Sequence, residues 1–495
     1  MSTFGSIFRV STFGESHCKA VGAVVDGVPP CMKLTEADIQ PQLTRRRPGQ
    51  SRLTTPRDEK DLVSILSGTE CGFTLGTSVG LLVMNEDQRP GDYREMDAIP
   101  RPGHADFTYQ IKMGTRASSG GGRSSARETI GRVAAGAIAE KWLRETYGTA
   151  ISCWVRSVGD VRLPDEEVPE GGWSREDVDT LGTLRVLRDP AVWSRVTAAE
   201  EPDAAKRKKK QADVESKAEE AFLRSLADGS SKGRPCYQDH AGKVLDAQGE
   251  AVRLEGDLSA WQTDELYPMR CPHPPSAARM ATVIRQVKSE SDSIGGSLTC
   301  VCRGVPPALG EPVFDRLEAK LAHGMMSLPA TKGFEIGSGF AGTAMRGSKH
   351  NDAFVKNEKR REGEPVLSTA TNHAGGTLGG ISSGAPLVFH VAIKPVSTIG
   401  QAQATAKYDG GEAVLEAKGR HDPCVLPRAP PLVEAMSALV LIDAALMQRT
   451  RLGGSATAVC DGSRPGVVHE FLAAKRAGSN TNGGEGPKEK KPKVQ

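Results

Sequence analysis

Two histidines stand on glycine-containing turns in this 495-residue chain. His17 ends Gly14-Glu15-Ser16-His17, after the strand-like run 8–13. His104 follows Arg101-Pro102-Gly103 and precedes Ala105-Asp106. Imidazole titrates nearest neutrality, so a histidine presented on a turn suits proton transfer. The plainer alternative is a ring that caps backbone. Four guanidiniums fall within eight residues in Arg45-Arg46-Arg47-Pro48-Gly49-Gln50-Ser51-Arg52. The Pro-Gly break makes this a loop, and arginine grips carboxylate and phosphate through paired N–H groups. That pattern suits a small anionic ligand; ordinary surface charge is the competing reading.

The segment Ser118-Ser119-Gly120-Gly121-Gly122-Arg123-Ser124-Ser125-Ala126-Arg127-Glu128-Thr129 is the most informative. It leads into Ile130, Val133, Ala134, Ala137 and Ile138, which repeat with a helical period. Ser125 and Glu128 have capping-box spacing. A glycine-rich loop entering a helix offers free N–H groups and a positive dipole end, which suits phosphate. The loop lacks Gly-Lys-Ser/Thr and is not Gly-x-Gly-x-x-Gly, so no ATP or NAD site is indicated. Further small residues and cations lie at 372–384, at Lys394-Pro395-Val396-Ser397-Thr398 and at Lys418-Gly419-Arg420-His421-Asp422-Pro423.

The elements that must carry these residues read as mixed α and β. Strands are expected at 20–25 and 296–303, and helices at 212–226, 312–326 and 432–447, the last apolar nearly all round. Residues 1–162 and 266–450 read as one core. The stretch 163–265 reads as an inserted, largely solvated segment, expected to be dispensable for catalysis. Residues 451–495 form an extension, disordered from about 478. Hydrophobic residues make up 38% and charged residues 25%, with a net charge of +3, too small to imply a nucleic-acid or membrane partner. The runs 206–210 and 488–493 are basic but read as solvated. Ten cysteines without a Cys-x-x-Cys pair suggest reduced thiols, no zinc site and a cytoplasmic setting. No apolar run is expected to span a membrane.

The Gly14–His17 motif, the 121–129 segment and Gly419-Arg420-His421-Asp422-Pro423 together resemble the three signature regions of the chorismate synthase family. The likeness continues through 34–39, 45–52, 101–106, 292–296, 310–315 and 335–340. It favours the fungal and protozoan members. Where many bacterial members carry glycine, this chain has Cys18 and Cys31. The resemblance implies an α+β fold, a β-α-β sandwich with antiparallel sheets around a helical layer, assembled as a homotetramer. It implies 1,4-anti elimination of phosphate from 5-enolpyruvylshikimate-3-phosphate, with reduced FMN as cofactor. His17 would protonate the leaving phosphate, and His104 would stabilise the reduced flavin. Asp422, working with flavin N5, would take the substrate proton, supported by Ser16 and Ser125. Arg46, Arg52 and Arg127 would clamp the anionic substrate. FMN would contact Arg123, Ser124, Ser125, Pro329, Ala330, Gly379, Lys394, Pro395, Val396, Ser397, Thr398 and Arg420. Some eukaryotic members also reduce their flavin with NADPH, an activity this sequence leaves open. The rival function is a flavoprotein oxidoreductase, which would consume reductant at each turnover.

Overall fold

The computed structural model describes residues 2–55, 57, 59–87, 96–117, 121–188, 202–230, 233–254, 261–358, 366–417 and 421–451. Its centre is a layer of helices between two five-stranded antiparallel sheets. In the first sheet the spatial order is Thr3–Phe4, Arg9–Phe13, Ala20–Asp26, Val79–Met84, Val63–Ser67. In the second it is Thr331–Ile336, Leu387–Ile393, Gly296–Arg303, Ala150–Val158, Val161–Arg162. Alternate residues face the helices: Val79, Leu81 and Val83 in one sheet, Leu387, Phe389 and Val391 in the other. That is the period-two pattern of a strand with one buried face.

The helices Thr129–Tyr147 and Pro430–Arg451 pack against each other between the sheets. Small residues set their approach. A Cβ on Gly136 would lie 2.5 Å from the Cβ of Ala435. Gly148, at φ 72°, ends the first helix and donates its N–H to the Arg144 carbonyl at 2.9 Å. The 432–447 helix of the sequence reading extends to Pro430–Arg451, with both prolines in its first turn, where no N–H is needed. By length and composition this helix could cross a membrane, at mean hydropathy 1.6, which corrects the reading that no run is long enough. Here 72% of that apolar window is buried in the protein, because the second sheet and the helices Glu36–Arg46, Thr129–Tyr147 and Leu317–Met326 pack on it. The 312–326 helix is shorter than expected, Leu317–Met326.

The stretch 163–265 departs from the largely solvated reading. Its strands Val244–Asp246, Pro235–Gln238, Thr183–Leu187 and Gln262–Pro268 pair in that order into a sheet. Leu184, Val186, Tyr237 and Leu245 are buried. The helix Ala204–Ala227 docks through Glu219, which accepts from Arg285 Nε and Nη2 at 2.8 and 2.7 Å. The Arg285 guanidinium also lies 3.8 Å from the centre of the Phe222 ring. The polar composition of the stretch conceals apolar residues at alternate strand positions. Of the basic run, Lys206, Lys209 and Lys210 are exposed.

Three elements converge on one buried carboxylate of the helix Pro430–Arg451. Glu434 is 1% exposed and accepts from Arg45, from Arg175 Nε at 3.1 Å, from Gln42 Nε2 at 3.1 Å and from the Cys153 N–H at 3.0 Å. Burial raises its pKa, but Arg175 and Arg45 outweigh this and bring it down to about 2. The folded value lies below the unfolded one. Its contribution, on the order of 3 kcal/mol, is therefore present above the ordinary glutamate value and lost as pH falls toward about 2. Denaturant titrations at a series of pH values should show Glu434→Gln less stable than the parent at pH 7, by about 3 kcal/mol. The variant should also lose less stability than the parent between pH 4.5 and 2.5. Equal acid sensitivity in the two proteins would contradict this role.

Candidate active site

The glycine-rich loop enters its helix differently from the capping-box reading. Ser125 caps a short 3-10 turn, Ala126–Glu128, by accepting from the Arg127 N–H at 3.3 Å. Glu128 does not reach back. Its carboxylate instead accepts from Thr12 Oγ1 at 2.8 Å and Arg132 Nε at 2.9 Å. The loop and the turns at 14–17, 101–106, 329–330, 394–398 and 421–428 surround a cavity of about 510 Å³. Among the described residues, Arg46, Arg57, Arg101, Arg123, Arg127, Arg132, Lys394 and Arg428 line it, against two carboxylates, Glu128 and Asp422. The lining therefore favours an anionic ligand.

The cavity floor is an ion-pair lattice. Asp61 accepts from Arg46 Nη1 at 2.7 Å and from Arg127 Nη1 at 2.6 Å. Arg46 also donates to the Ala126 carbonyl and Thr129 Oγ1, and Arg127 to Asn85 and Glu59. Burial lowers the Arg46 pKa, and the pull of Asp61 against Arg428 and Arg127 leaves it at about 10. Asp422, 7% exposed, accepts from the Thr55 N–H at 3.1 Å and from Arg428 Nε and Nη2 at 3.2 and 2.5 Å.

Both histidines line the cavity. His17 Nδ1 lies 2.9 Å from the Oγ of Ser16, which is itself buried. His104 Nδ1 is 2.8 Å from Asp106 Oδ1, and Arg101 holds the same carboxylate at 2.7 and 2.8 Å. Burial raises the Asp106 pKa, but Arg101 and His104 hold it well below the usual carboxylate range. An ionised Asp106 fixes the ring and turns Nε2 toward Gly121. A Cβ on Gly121 would meet His104 Cε1 at 2.9 Å and Nε2 at 3.1 Å. At the other wall Lys394 Nζ donates to the Gly103 carbonyl at 2.5 Å and to Ser397 Oγ at 3.0 Å. Burial and the nearby Lys332 lower its pKa.

The lining thus unites His17, His104, Asp422, Ser125, Arg46, Arg127, Arg123, Ser124, Pro329, Ala330 and residues 394–398. Ser16 stands behind His17. Arg52 is outside the lining, half exposed and 3.5 Å from Glu265. Gly379 sits in a separate turn between the strands Thr377–Leu378 and Ile381–Ser382. Arg420, Lys418, Gly419 and 118–120 lie outside the described residues, as does the extension beyond 451. Sequence reasoning missed Thr55, Arg57, Asp61, Arg132 and Arg428. Thr55 and Asp61 meet partners remote in sequence, Asp422 and Arg127, whereas Arg57, Arg132 and Arg428 pair locally with Glu59, Glu128 and Asp422 and so look like ordinary ion pairs. A larger cavity, of about 660 Å³, shares Arg123, Glu128 and Arg132 but contains neither histidine nor Asp422.

The family described as chorismate synthase matches residues 8–446. The chain belongs to the chorismate synthase family. Its activity is the formation of chorismate from 5-enolpyruvylshikimate-3-phosphate with loss of phosphate, a carbon–oxygen lyase reaction of the shikimate pathway to aromatic compounds. Curated chorismate synthases similar to it include that of Schizosaccharomyces pombe, 50% identical, with 91% of this chain and 98% of the relative covered. That of Toxoplasma gondii is 41% identical over 92% and 97%. A crystal structure of chorismate synthase superposes with a TM-score of 0.56 at 25% identity, covering 90% of this chain and 93% of the other. The fold and family implied by the signature motifs are thereby confirmed.

Gly121 has φ 78° and no room for a side chain beside His104. Gly121→Ala should lower kcat by about tenfold or more, through backbone strain and displacement of His104. Steady-state chorismate formation checks this; a rate within twofold of the parent would sink it.

Proposed function

We propose that this chain performs its elimination in the cavity around His17, His104 and Asp422, with reduced FMN bound there. The carrying observation is the concentration of cations around two turn-borne histidines and the buried carboxylate of Asp422. The cavity volume, about 510 Å³, is in the range of small-molecule sites. Its donors also fit the cofactor. Lys394, Arg123 and the hydroxyls of Ser124, Ser397 and Thr398 suit a phosphate tail, and Gly121, Pro329 and Ala330 leave space for a flat ring. Bound and reduced, the flavin supplies electron density for breaking a carbon–oxygen bond, chemistry that no side chain offers.

The protein's own groups do the rest. Arg127, Arg46 and Arg428 place positive charge where substrate carboxylates and phosphate must sit. Their fixed hydrogen bonds make this field preorganised. His17 delivers a proton from its ring to the departing phosphate, with Ser16 orienting Nδ1. Asp422, held by Thr55 and Arg428, receives the substrate proton on a carboxylate oxygen. His104 stabilises negative charge on the bound cofactor, and Asp106 keeps its ring in place. Arg52 finds no support here as a substrate ligand.

The molecule is further proposed to be a homotetramer. Phe314, Phe340, Phe354 and Leu367 expose 91%, 80%, 62% and 55% of their surface, which favours self-association. A light-scattering mass of one 52.6 kDa chain would contradict it. Nine free cysteines among the described residues suit a reducing, cytoplasmic setting.

Anaerobic turnover with chemically reduced FMN tests the reaction and the site together. Phosphate and chorismate should form one to one, with the flavin still reduced at the end. His17→Ala should be slower by about 10²- to 10⁴-fold. Net consumption of reductant would favour the oxidoreductase reading, and full activity of His17→Ala would place the chemistry elsewhere. The same assay with NADPH and oxidised FMN tests whether the chain reduces its own cofactor.

A further inference from the structure

Arg270 lies behind the cavity wall and touches both sides of it. Its side chain is buried, and its backbone is left-handed at φ 51°. That conformation is costly for a residue with a Cβ and persists only where the surroundings enforce it. They do so here. The Arg270 N–H donates to the Gly182 carbonyl at 2.9 Å, and its carbonyl accepts from the Val155 N–H at 2.8 Å. Gly182 permits this approach, since a Cβ there would lie 2.8 Å from Arg270 Cα.

The guanidinium then reaches three segments. Nε donates to Asp179 at 3.1 Å, Nη2 to Gln50 Oε1 at 2.9 Å, and Nη1 to the Pro427 carbonyl. Gln50 in turn donates to the carbonyls of Arg45 and Arg47 at 2.7 and 2.6 Å. It thereby fixes the loop that puts Arg46 and Pro48 in the cavity lining. Pro427 precedes Arg428, which grips Asp422. One arginine thus joins the backbone of the loop carrying Arg46 to the turn carrying Arg428. Asp179 belongs to the stretch expected to be dispensable, so that stretch buttresses the wall.

We propose that Arg270 is a positioning residue for the elimination, setting the distance between the Arg46 loop and the Asp422–Arg428 pair through Gln50 and Pro427. This rests on the assignment of the cavity as the active site. Removing Arg270 need not strand a buried charge, because Asp179 keeps Arg45 Nε at 2.7 Å and is partly exposed.

Arg270→Met and Gln50→Ala, singly and together, test the inference in the full-length enzyme with reduced FMN. Each single variant should lose about tenfold in kcat/KM for the substrate. The double variant should be no worse than a further twofold, because both act through one link. FMN affinity, read by fluorescence titration, should stay within twofold, whereas a general loosening of the fold would weaken it too. Arg270→Lys should recover part of the loss. The inference is overturned by a kcat/KM within twofold of the parent, by multiplying effects in the double variant, or by FMN affinity falling in step. Should Arg270→Met not fold, Gln50→Ala alone decides. His17→Ala separates the two levels: full activity there would sink the site assignment, while its loss beside a silent Gln50→Ala would sink only the role of Arg270.

Discussion

Asp61 holds two buried arginines at once, one on each carboxylate oxygen. Without it, Arg46 would be an unpaired guanidinium in the interior, costing several kcal/mol, and Arg127 would keep only Glu59 as a charged partner. With it they are fixed in orientation, yet the local balance stays positive, because Arg46, Arg57, Arg127 and Arg428 share three carboxylates, Asp61, Glu59 and Asp422. Burial brings the Arg46 pKa down to about 10 against the pull of Asp61, with Arg428 and Arg127 adding to the lowering. On the proposed assignment of the site, a substrate with two carboxylates and a phosphate would supply the missing negative charge. Asp61 itself sits at φ 51°, a strained conformation for a residue with a side chain. The strain is kept by the ion pairs it serves.

The helical layer exists to bring these pairs together. Arg46 ends the helix Glu36–Arg46, Arg127 stands before Thr129–Tyr147, and Asp422 and Arg428 precede Pro430–Arg451. Three helix ends therefore meet at one cavity. Deeper in the layer Glu434 of the last helix holds Glu36–Arg46 through Arg45 and Gln42, and Gln42 and Arg175 bridge Glu434 to Glu140 of Thr129–Tyr147. Close helix contact at Gly136 and Ala435 keeps the ends near each other, so packing in the core and charge at the site are one construction.

Much of the site was legible in the sequence, for chemical reasons. His17, His104, Arg46, Arg123 and Arg127 lie in short motifs where glycine, proline and charge coincide, which simple packing does not require. Asp61, Thr55 and Arg428 were not legible. Asp61 stands in the acidic run 58–61, which looks solvated, and its partner Arg127 is 66 positions away. Arg52, close to Arg46 in sequence, lies outside the cavity lining and faces Glu265. In the fold, alternation marked the strands Ala20–Asp26 and Gly296–Arg303 well. The sheet within 163–265 escaped notice because its strands are short and its surroundings polar. The capping box failed because Glu128 has better partners in Thr12 and Arg132 than the backbone N–H of Ser125.

The most direct test of this account is an anaerobic crystal structure of the chain with FMN and 5-enolpyruvylshikimate-3-phosphate. The account requires the substrate phosphate within hydrogen-bond distance of His17, its carboxylates facing Arg46, Arg127 or Arg428, and the flavin between His104 and Asp422. Substrate found in the larger cavity beside the N-terminal strands, away from both histidines, would contradict it.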